Sequence, residues 1–409
     1  MTPDAGERST AGLGRRIYLP RGADAAAFAM TTYGIPLLVL ATTGSAALTG
    51  LAFALEWLPR IGAFTVAGTL VDRYGTARVF RAACLARAVA VLAAAVVLAV
   101  LDARTLAATV TVMLLAASTG VLTEFSFVAA ETAGSEASRK AGDRAHRVQS
   151  VLLGIDQTAT LAGPAISGLL LQHGGPAAML GTLASLSLLA AALGPRVRTA
   201  APLGVASAKR GLRAGWTTLG SLPALAWLVG GLVVSNGAMA LLQAAVPVVI
   251  VTELDHSSAD AGVIWSAAAV ASLLAITASR AAIDRWGLWP VGAVAATVAA
   301  AATFAVAQAD TYRGYLLLIA VVMAGEGSLT VVFRTLRSRL IPPEVFASTL
   351  AVTVLLLLLP FPAAGLLVAA VPPAQLGHAV TIAAALQALG FAVAFARLRS
   401  LPSLPTTPA

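Results

Sequence analysis

The stretch Gly68–Arg78, which reads GTLVDRYGTAR, joins two long apolar runs through a charged turn that contains glycine. A second Asp-Arg-aromatic-Gly turn, at residues 284–287, follows another apolar run in the second half of the chain. Glycine at position 68 allows helices to pack closely, and glycine at position 75 can turn the chain. The side chain of Asp72 can cap or bridge the end of a neighbouring helix. Two such turns at equivalent places predict a duplicated helical unit.

The composition around these turns is that of a membrane protein. Of 409 residues, 58% are hydrophobic and 11% are charged, whereas a soluble domain carries about 25% charged residues. The deficit extends along the whole chain, which argues against one anchor on a soluble body. The net charge is +9, but no basic run is interleaved with aromatic residues on a polar segment. We therefore expect no nucleic-acid partner. The single cysteine, Cys84, excludes an internal disulfide.

Apolar runs long enough to cross a bilayer, about 20 residues each, recur on both sides of a polar gap. The first six lie near 17–41, 46–70, 79–101, 105–130, 148–171 and 176–194. The other six lie near 222–251, 260–282, 288–308, 314–336, 347–371 and 377–396. The sequence therefore predicts an all-α polytopic membrane protein with twelve transmembrane helices in two six-helix pseudo-repeats.

The predicted domains follow from these runs. They are a cytoplasmic tail (1–16), an N-terminal six-helix bundle (17–194), a cytoplasmic linker (195–221), a C-terminal six-helix bundle (222–396) and a second cytoplasmic tail (397–409). The linker is rich in Lys, Arg, Gly and Pro, and we expect a solvated connection. The N-terminal tail lacks an apolar core followed by a cleavage site, so we do not expect a signal peptide.

Basic residues predict the orientation of the spans. With an even number of spans, both termini and every second loop are expected to be cytoplasmic and rich in Lys and Arg. Of the 27 Lys and Arg residues, Arg104 and Arg313 fall in the proposed outer loops, and Arg60 and Arg87 lie deep in predicted helices. All the others lie on the side that we assign to the cytoplasm. We therefore predict a multi-pass protein of the cytoplasmic (inner) membrane with both termini inside.

The stretch Gly68–Arg78 resembles the signature loop G-x-L-x-D-R-x-G-x-x-R of the major facilitator superfamily, and the resemblance extends over nearly the whole chain. It implies the major facilitator fold and a loop that clasps the cytoplasmic faces and steadies the outward-open state. The residues that it implies for this conformational switch, including those of the degenerate second copy, are Gly68, Asp72, Arg73, Gly75, Arg78, Asp284 and Arg285.

Two further stretches resemble parts of this superfamily. The segment Gly163-Pro164-Ala-Ile-Ser-Gly168 resembles the G-P-x-x-G-G element of exporters, with Ser167 in place of one glycine; a generic kinked helix is the alternative. The first two predicted helices resemble the branch that contains enterobactin exporters and macrolide or multidrug efflux proteins. The chain departs from many proton-coupled drug antiporters because 110–120, in the fourth helix, contains no arginine. We therefore do not expect the proton-coupling scheme of those antiporters to apply to this chain.

Charged and polar side chains fall deep inside several predicted spans. A charge near the bilayer centre costs about 2.5–3.5 kcal/mol on insertion scales, so each needs a partner or a wet cavity. The candidates for a substrate or proton pathway are Asp24, Glu56, Arg60, Glu124, Asp156, Asn236 and Glu326. Buried acids outnumber buried bases, and a buried carboxylate without a partner can titrate near neutral pH. Proton coupling requires this property, which would also favour a cationic substrate.

Depth and spacing predict which of these charges pair. Glu56 and Arg60 are four residues apart and can pair on one helix face, either as a structural pair or as part of a cavity. Arg87 and Glu124 have equal depth and are expected to form a structural ion pair. Arg21 is expected to pair with Asp24, three residues later. Glu326 has no obvious local partner, and we expect it to face the cavity formed by the first, fourth, seventh and tenth helices.

These features predict a secondary active transporter that exports a small molecule by alternating access, such as a drug, a siderophore or another secondary metabolite. The proton is a candidate coupling ion, the lipid bilayer is the surrounding partner, and a monomer is expected. An importer, or a transporter of lipid-like substrates on the same fold, is the alternative. A membrane enzyme or sensor is disfavoured, because the sequence shows no Walker-type loop, no metal-spaced His/Cys/Asp cluster and no nucleophile constellation. We therefore expect no catalytic residue, metal or cofactor.

Overall fold

The computed structural model describes residues 17–101, 105–140, 145–195, 206–341 and 345–400, and these residues form an all-helical protein. The N-terminal half contains α1 (Leu19–Thr43), α2 (Ala46–Tyr74), α3 (Thr76–Val100), α4 (Leu106–Lys140) and the helical run Ala145–Leu193. The run Ala145–Leu193 is interrupted at Gly175, where φ is +65°, so we divide it into α5 (145–174) and α6 (176–193).

The C-terminal half repeats this arrangement after a short helix in the linker. Its helices are α7 (Ala206–Ser221), α8 (Pro223–Thr252), α9 (Ser258–Trp286), α10 (Leu288–Val306), α11 (Tyr312–Leu340), α12 (Phe346–Leu358), α13 (Pro360–Ala370) and α14 (Leu376–Ser400), with a 3-10 turn at Pro373–Gln375. Helices α12 and α13 form one span that breaks before Pro360, because proline cannot continue the backbone hydrogen bonds of the helix.

The spans confirm the predicted all-helical class and the count of twelve. By length and composition, ten helical segments of the described chain can cross a membrane. One of these segments, Ser150–Leu193, contains most of α5 and all of α6 across the Gly175 interruption, so it counts as two spans. The remaining span is α2, whose 29 residues include Glu56 and Arg60. The linker differs from the prediction of a purely solvated connection, because α7 packs against α12 and buries Leu219.

The two halves share their turn geometry as well as their helix order. Gly75 ends α2 with φ +87° and ψ 148°, and Gly287 ends α9 with φ +85° and ψ 166°. A positive φ is readily adopted only by glycine. The two turns noticed in the sequence therefore have the same backbone conformation, as a duplicated unit predicts.

The halves pack tightly at the end of the bundle opposite the linker, which we call the distal end; the end at the linker is the proximal end. Helix α2 packs against α13, where Gly50 lies against the backbone of Gly365 and Ala369. Helix α5 packs against α9, where Gly262 lies against the backbone of Pro164. A Cβ atom at either glycine would collide with backbone, so these contacts depend on the absence of a side chain. The distal end is therefore closed by direct contact between helix backbones.

Candidate functional site

Arg87 of α3 forms the most enclosed ion pair of the described chain. Its side chain is fully buried, and its Nη2 donates a hydrogen bond to Asp24 Oδ1 of α1 at 2.8 Å. Its other donors reach the hydroxyl oxygens of Ser187, Thr123 and Ser126. The predicted Arg87–Glu124 pair is therefore wrong, because α1 places a carboxylate closer to the guanidinium than α4 does. The cluster balances one positive charge with one negative charge.

Arg21 of α1 binds two carboxylates from other helices. Its Nε and Nη2 donate to the two oxygens of Asp156 on α5, at 2.8 and 2.7 Å, and Nη2 also donates to Glu131 of α4 at 2.6 Å. The arginine is buried, whereas Glu131 is 53% exposed and Asp156 is 32% exposed. The predicted Arg21–Asp24 pair is wrong, because Asp156 offers two-point binding that a residue three positions along the same helix does not.

Arg60 of α2 lies at the centre of a third cluster. Its Nε donates to Glu124 Oε2 of α4 at 2.7 Å, and its Nη1 lies 4.0 Å from Glu56 Oε1. The guanidinium also lies over two aromatic rings, those of Phe28 at 4.5 Å and Trp57 at 4.4 Å. The predicted Glu56–Arg60 contact is therefore present at the limit of an ion pair, and Glu124 is the closer partner.

Glu56 is fully buried, and neither of its oxygens accepts a hydrogen bond within ordinary geometry from the residues that the structure describes. The Thr32 hydroxyl of α1 is a nearby polar group. Gly120 of α4 lies directly against the backbone of Glu56, so α2 and α4 approach closely at this level. A buried carboxylate with so few partners is costly when ionised. Such a group is a candidate for taking up a proton or a cation.

The three clusters differ in their balance of charge. Arg87 and Asp24 cancel, whereas Arg60 faces two carboxylates, and Arg21 also faces two. With every group ionised, the second and third clusters would each carry one negative charge in excess. Glu131 and Asp156 of the second cluster are partly exposed, so solvent screens its excess charge. The third cluster is buried, and there an excess negative charge favours a compensating proton or cation.

In the C-terminal half, Glu326 of α11 is a half-buried carboxylate within a membrane span. It accepts hydrogen bonds from the hydroxyl of Ser235 on α8 and from Nε2 of Gln387 on α14, the latter at 3.0 Å. No Lys, Arg or His of the described residues lies within ion-pair distance of it. Gly325 and Gly327 fix its position, because they press α11 against α10 and α9. The sequence predicted no local partner, and the neutral partners come from two other helices.

Asn236 of α8 has a different environment. Its Nδ2 donates to the backbone oxygen of Leu357 at 2.9 Å, at the end of α12. The break before Pro360 leaves backbone oxygens without their usual helical partners, and inside a membrane these need another donor. Asn236 therefore has a structural role as a donor to the broken helix, which its predicted depth in the membrane did not indicate.

Aromatic rings connect the two halves on the distal side of these clusters. The ring of Trp57 lies 4.2 Å from that of Phe361 on α13, centroid to centroid, and Tyr33 of α1 lies 5.8 Å from Trp265 of α9. All four belong to helices that meet across the interface between the halves. The clusters of charged residues therefore lie on the proximal side of an aromatic layer, with the closed distal end beyond it.

The two sequence motifs lie at opposite ends of the bundle. In α5, Gly163 packs against Ala29 of α1, and Gly168 packs against Ser258 of α9, so the helix-five motif lies in a contact between halves. In the signature loop, a Cβ atom at Gly68 would meet no atom within 4 Å. The close packing predicted for Gly68 is thus absent in this state of the protein.

The charged residues of the signature loop and of its second copy lie at the proximal end. Arg73, Arg78, Asp284 and Arg285 are exposed, and the side chain of Asp72 lies outside the described part. Within the described ranges, no group of three or more His, Cys, Asp and Glu side chains has the arrangement of a metal site.

Comparison with known proteins agrees with this architecture. Several solved transporters share this fold at low sequence identity, each under 20%. A bacterial homologue of the iron transporter ferroportin, in an inward-facing state, has 18% identity and a TM-score of 0.69, with 97% of this chain and 100% of that chain covered. A D-xylose–proton symporter has 14% identity and a TM-score of 0.72, with 94% and 96% covered.

A nucleoside transporter has 14% identity and a TM-score of 0.69, with 95% of this chain and 100% of that chain covered. At these identities the similarity shows the fold alone. No curated relative matches the sequence. The family model described as "Major Facilitator Superfamily" matches residues 22–360, which is most of the chain. With twelve spans, two similar halves and this match, the chain is a multi-pass integral membrane protein that belongs to the major facilitator superfamily.

Proposed function

We propose that this protein is a secondary active exporter of a small molecule, working by alternating access between its halves with the proton as coupling ion. The observation that carries the proposal is Glu56, a fully buried carboxylate beside an arginine that is already bound to Glu124. A group in this position can exchange a proton for a cationic substrate as its surroundings change. The substrates that we expect are drugs, siderophores or other secondary metabolites.

The direction of transport rests on the helix-five motif. Gly163, Pro164 and Gly168 form the element that resembles that of exporters, and they lie in the contact between α5 and helices α1 and α9. The resemblance of the first two helices to the branch of enterobactin exporters and macrolide or multidrug efflux proteins points the same way. We place the protein in the inner membrane as a monomer, with the proximal end in the cytoplasm.

An importer is the second candidate, because the solved structures of similar fold include a D-xylose–proton symporter and a nucleoside transporter. A carrier of lipid-like substrates is a further variant of this alternative. One protein of similar fold is a bacterial homologue of the iron transporter ferroportin, but the described residues of this chain form no cluster of metal-ligating side chains. A metal substrate therefore has less support than an organic one.

Everted membrane vesicles test the proposal directly. An inside-acid gradient should drive uptake of at least one compound from a panel of antibiotics, dyes and siderophores, because protons leave as the substrate enters. We expect Glu56→Gln to fold normally and to lose the pH dependence of this flux. The matched control is Glu253→Gln, which makes the same chemical change at an exposed position beyond α8 and should leave flux unchanged.

Two results would contradict the proposal. Unchanged pH dependence in Glu56→Gln would remove the proton role of this residue. Flux that requires the opposite gradient, with accumulation in intact cells, would favour the importer.

A further inference from the structure

Trp57 contacts both a charged cluster of the N-terminal half and an aromatic ring of the C-terminal half. One contact is with the Arg60 guanidinium, whose Cζ lies 4.4 Å from the ring centroid. The other is with Phe361 of α13, at 4.2 Å between ring centroids. Trp57 and Phe361 are both buried, at 6% and 8% exposure. A single side chain therefore joins the Glu56–Arg60–Glu124 cluster to the interface between the halves.

The other distal contacts lack this connection. Gly50 and Gly365 meet through backbone, and Tyr33 meets Trp265 through rings; among the described residues, no cation lies over either of these two rings. Phe53 lies 6.4 Å from Phe361 on the same face of α2 as Trp57, but none of its described contacts is with a cation. Among the contacts described at the interface, that of Trp57 is the one through which a change of charge can reach the opposite half.

The position of Arg60 depends on the state of Glu56. The charged group that faces Glu56 is Arg60 on its own helix, and α1 presents the Thr32 hydroxyl. Arg60 in turn contacts Glu124 of α4 and the ring of Phe28. When Glu56 is neutral, its attraction for Arg60 weakens and Glu124 alone holds the guanidinium. A shift of the guanidinium changes its contact with the Trp57 ring, because cation–π attraction depends on their distance.

We infer that Trp57 is a positioning residue that transmits the state of the Glu56–Arg60–Glu124 cluster to the closure of the distal end. The inference rests on the proposed function, in which the halves must part at this end during each cycle. The Trp57–Phe361 contact must then break and form again. Its stability depends on where Arg60 lies, so binding at Glu56 and closure of the distal end become coupled.

A double-mutant experiment on purified protein tests this coupling. Spin labels at Ala47→Cys and Ala374→Cys, both exposed at the distal end, report the separation of the halves in a Cys84→Ala background. The variant Glu56→Gln mimics the protonated, neutral form of the Glu56 side chain. We expect it to change the ratio of long to short distances by about fivefold or more, the lower end of usual coupling.

The same substitution is then made in two further backgrounds. In Trp57→Leu we expect the effect of Glu56→Gln to fall to near zero, because the connecting ring is gone. In Phe53→Leu, the matched control, we expect the effect to persist, since this residue also packs near Phe361 but does not contact Arg60. Trp57→Phe, which keeps a ring, should give an intermediate effect and serves if Trp57→Leu does not fold.

Equal effects of Glu56→Gln in the wild-type and Trp57→Leu backgrounds would overturn the inference, as would no effect in the wild-type background. The distances need neither a known substrate nor a pH gradient. The inference can therefore fail while proton-coupled flux is present, and it can hold while the flux experiment fails.

Discussion

The side chain of Arg87 has no access to solvent, and its charge is balanced by Asp24 from another helix. We predict that Asp24→Asn lowers the free energy of unfolding by about 3–5 kcal/mol, because it leaves a buried charge without its partner. The double variant Asp24→Asn, Arg87→Met should recover much of this loss. Thermal unfolding in detergent measures both effects.

The control for this prediction is Glu131→Gln. Glu131 also binds an arginine, but it is 53% exposed, so we expect a change of about 1 kcal/mol or less. Equal melting temperatures for Asp24→Asn and the wild type would show that the pair contributes little to stability.

At the residue scale, the sequence predicts which charges are buried but not which ones meet. Arg87 and Glu124 have equal depth, but they do not pair. Arg87 binds Asp24 of α1, and Glu124 binds Arg60 of α2. Depth follows from counting residues along one span, whereas pairing depends on how each helix is rotated and on which helices are neighbours. The spacing of Glu56 and Arg60 was informative because both lie on one helix, where geometry is local.

Helix α2 meets α13 at a contact that has no room for a side chain. We predict that Gly50→Ala shifts the protein toward an open distal end and reduces transport several-fold, because its Cβ would collide with the backbone of Gly365 and Ala369. The spin-label pair at positions 47 and 374 should report a longer separation.

The matched control is Gly181→Ala in α6, where a Cβ would meet no atom within 4 Å. Alanine is favoured over glycine in a helix by up to about 1 kcal/mol, so this variant should be at least as stable as the wild type. A normal separation in Gly50→Ala would mean that the helices can move apart locally without opening the distal end.

The turn between α2 and α3 carries the signature loop. We predict that Asp72→Asn largely abolishes transport while expression stays near normal, because the resemblance implies that this carboxylate controls switching between states. Asp255→Asn is the control, since it makes the same change in the loop between α8 and α9. Transport at the wild-type rate in Asp72→Asn would show that this chain does not use the switching mechanism that the resemblance implies.

At the scale of elements, apolar runs were sufficient to predict the spans, because crossing a bilayer requires about 20 residues of low polarity. The helix α7 was missed, since its basic and small residues resemble those of a solvated linker. The break between α12 and α13 was also missed; its local signals were Pro360 and Pro362. Neither feature changes hydrophobicity over a window long enough to be detected from composition.

The whole molecule has an orientation that labelling can test. We predict that Glu253→Cys reacts with a membrane-impermeant maleimide in intact cells, and that Thr217→Cys in α7 reacts only after permeabilisation. Both positions are exposed, whereas the natural Cys84 is buried and should stay unlabelled. Reaction of Thr217→Cys in intact cells would place the proximal end outside and contradict the positive-inside assignment.

The separation of ion-pair partners along the chain also bears on how the protein is made. Arg21 precedes Asp156 by 135 residues, and Arg60 precedes Glu124 by 64. At about 5–20 residues per second of synthesis, the first arginine waits roughly 7–27 s before its partner is translated. The early helices thus leave the ribosome with charges that lipid alone solvates poorly. The insertion machinery must hold them until α4 and α5 arrive, so biogenesis of the N-terminal half is expected to proceed as one delayed, cooperative event.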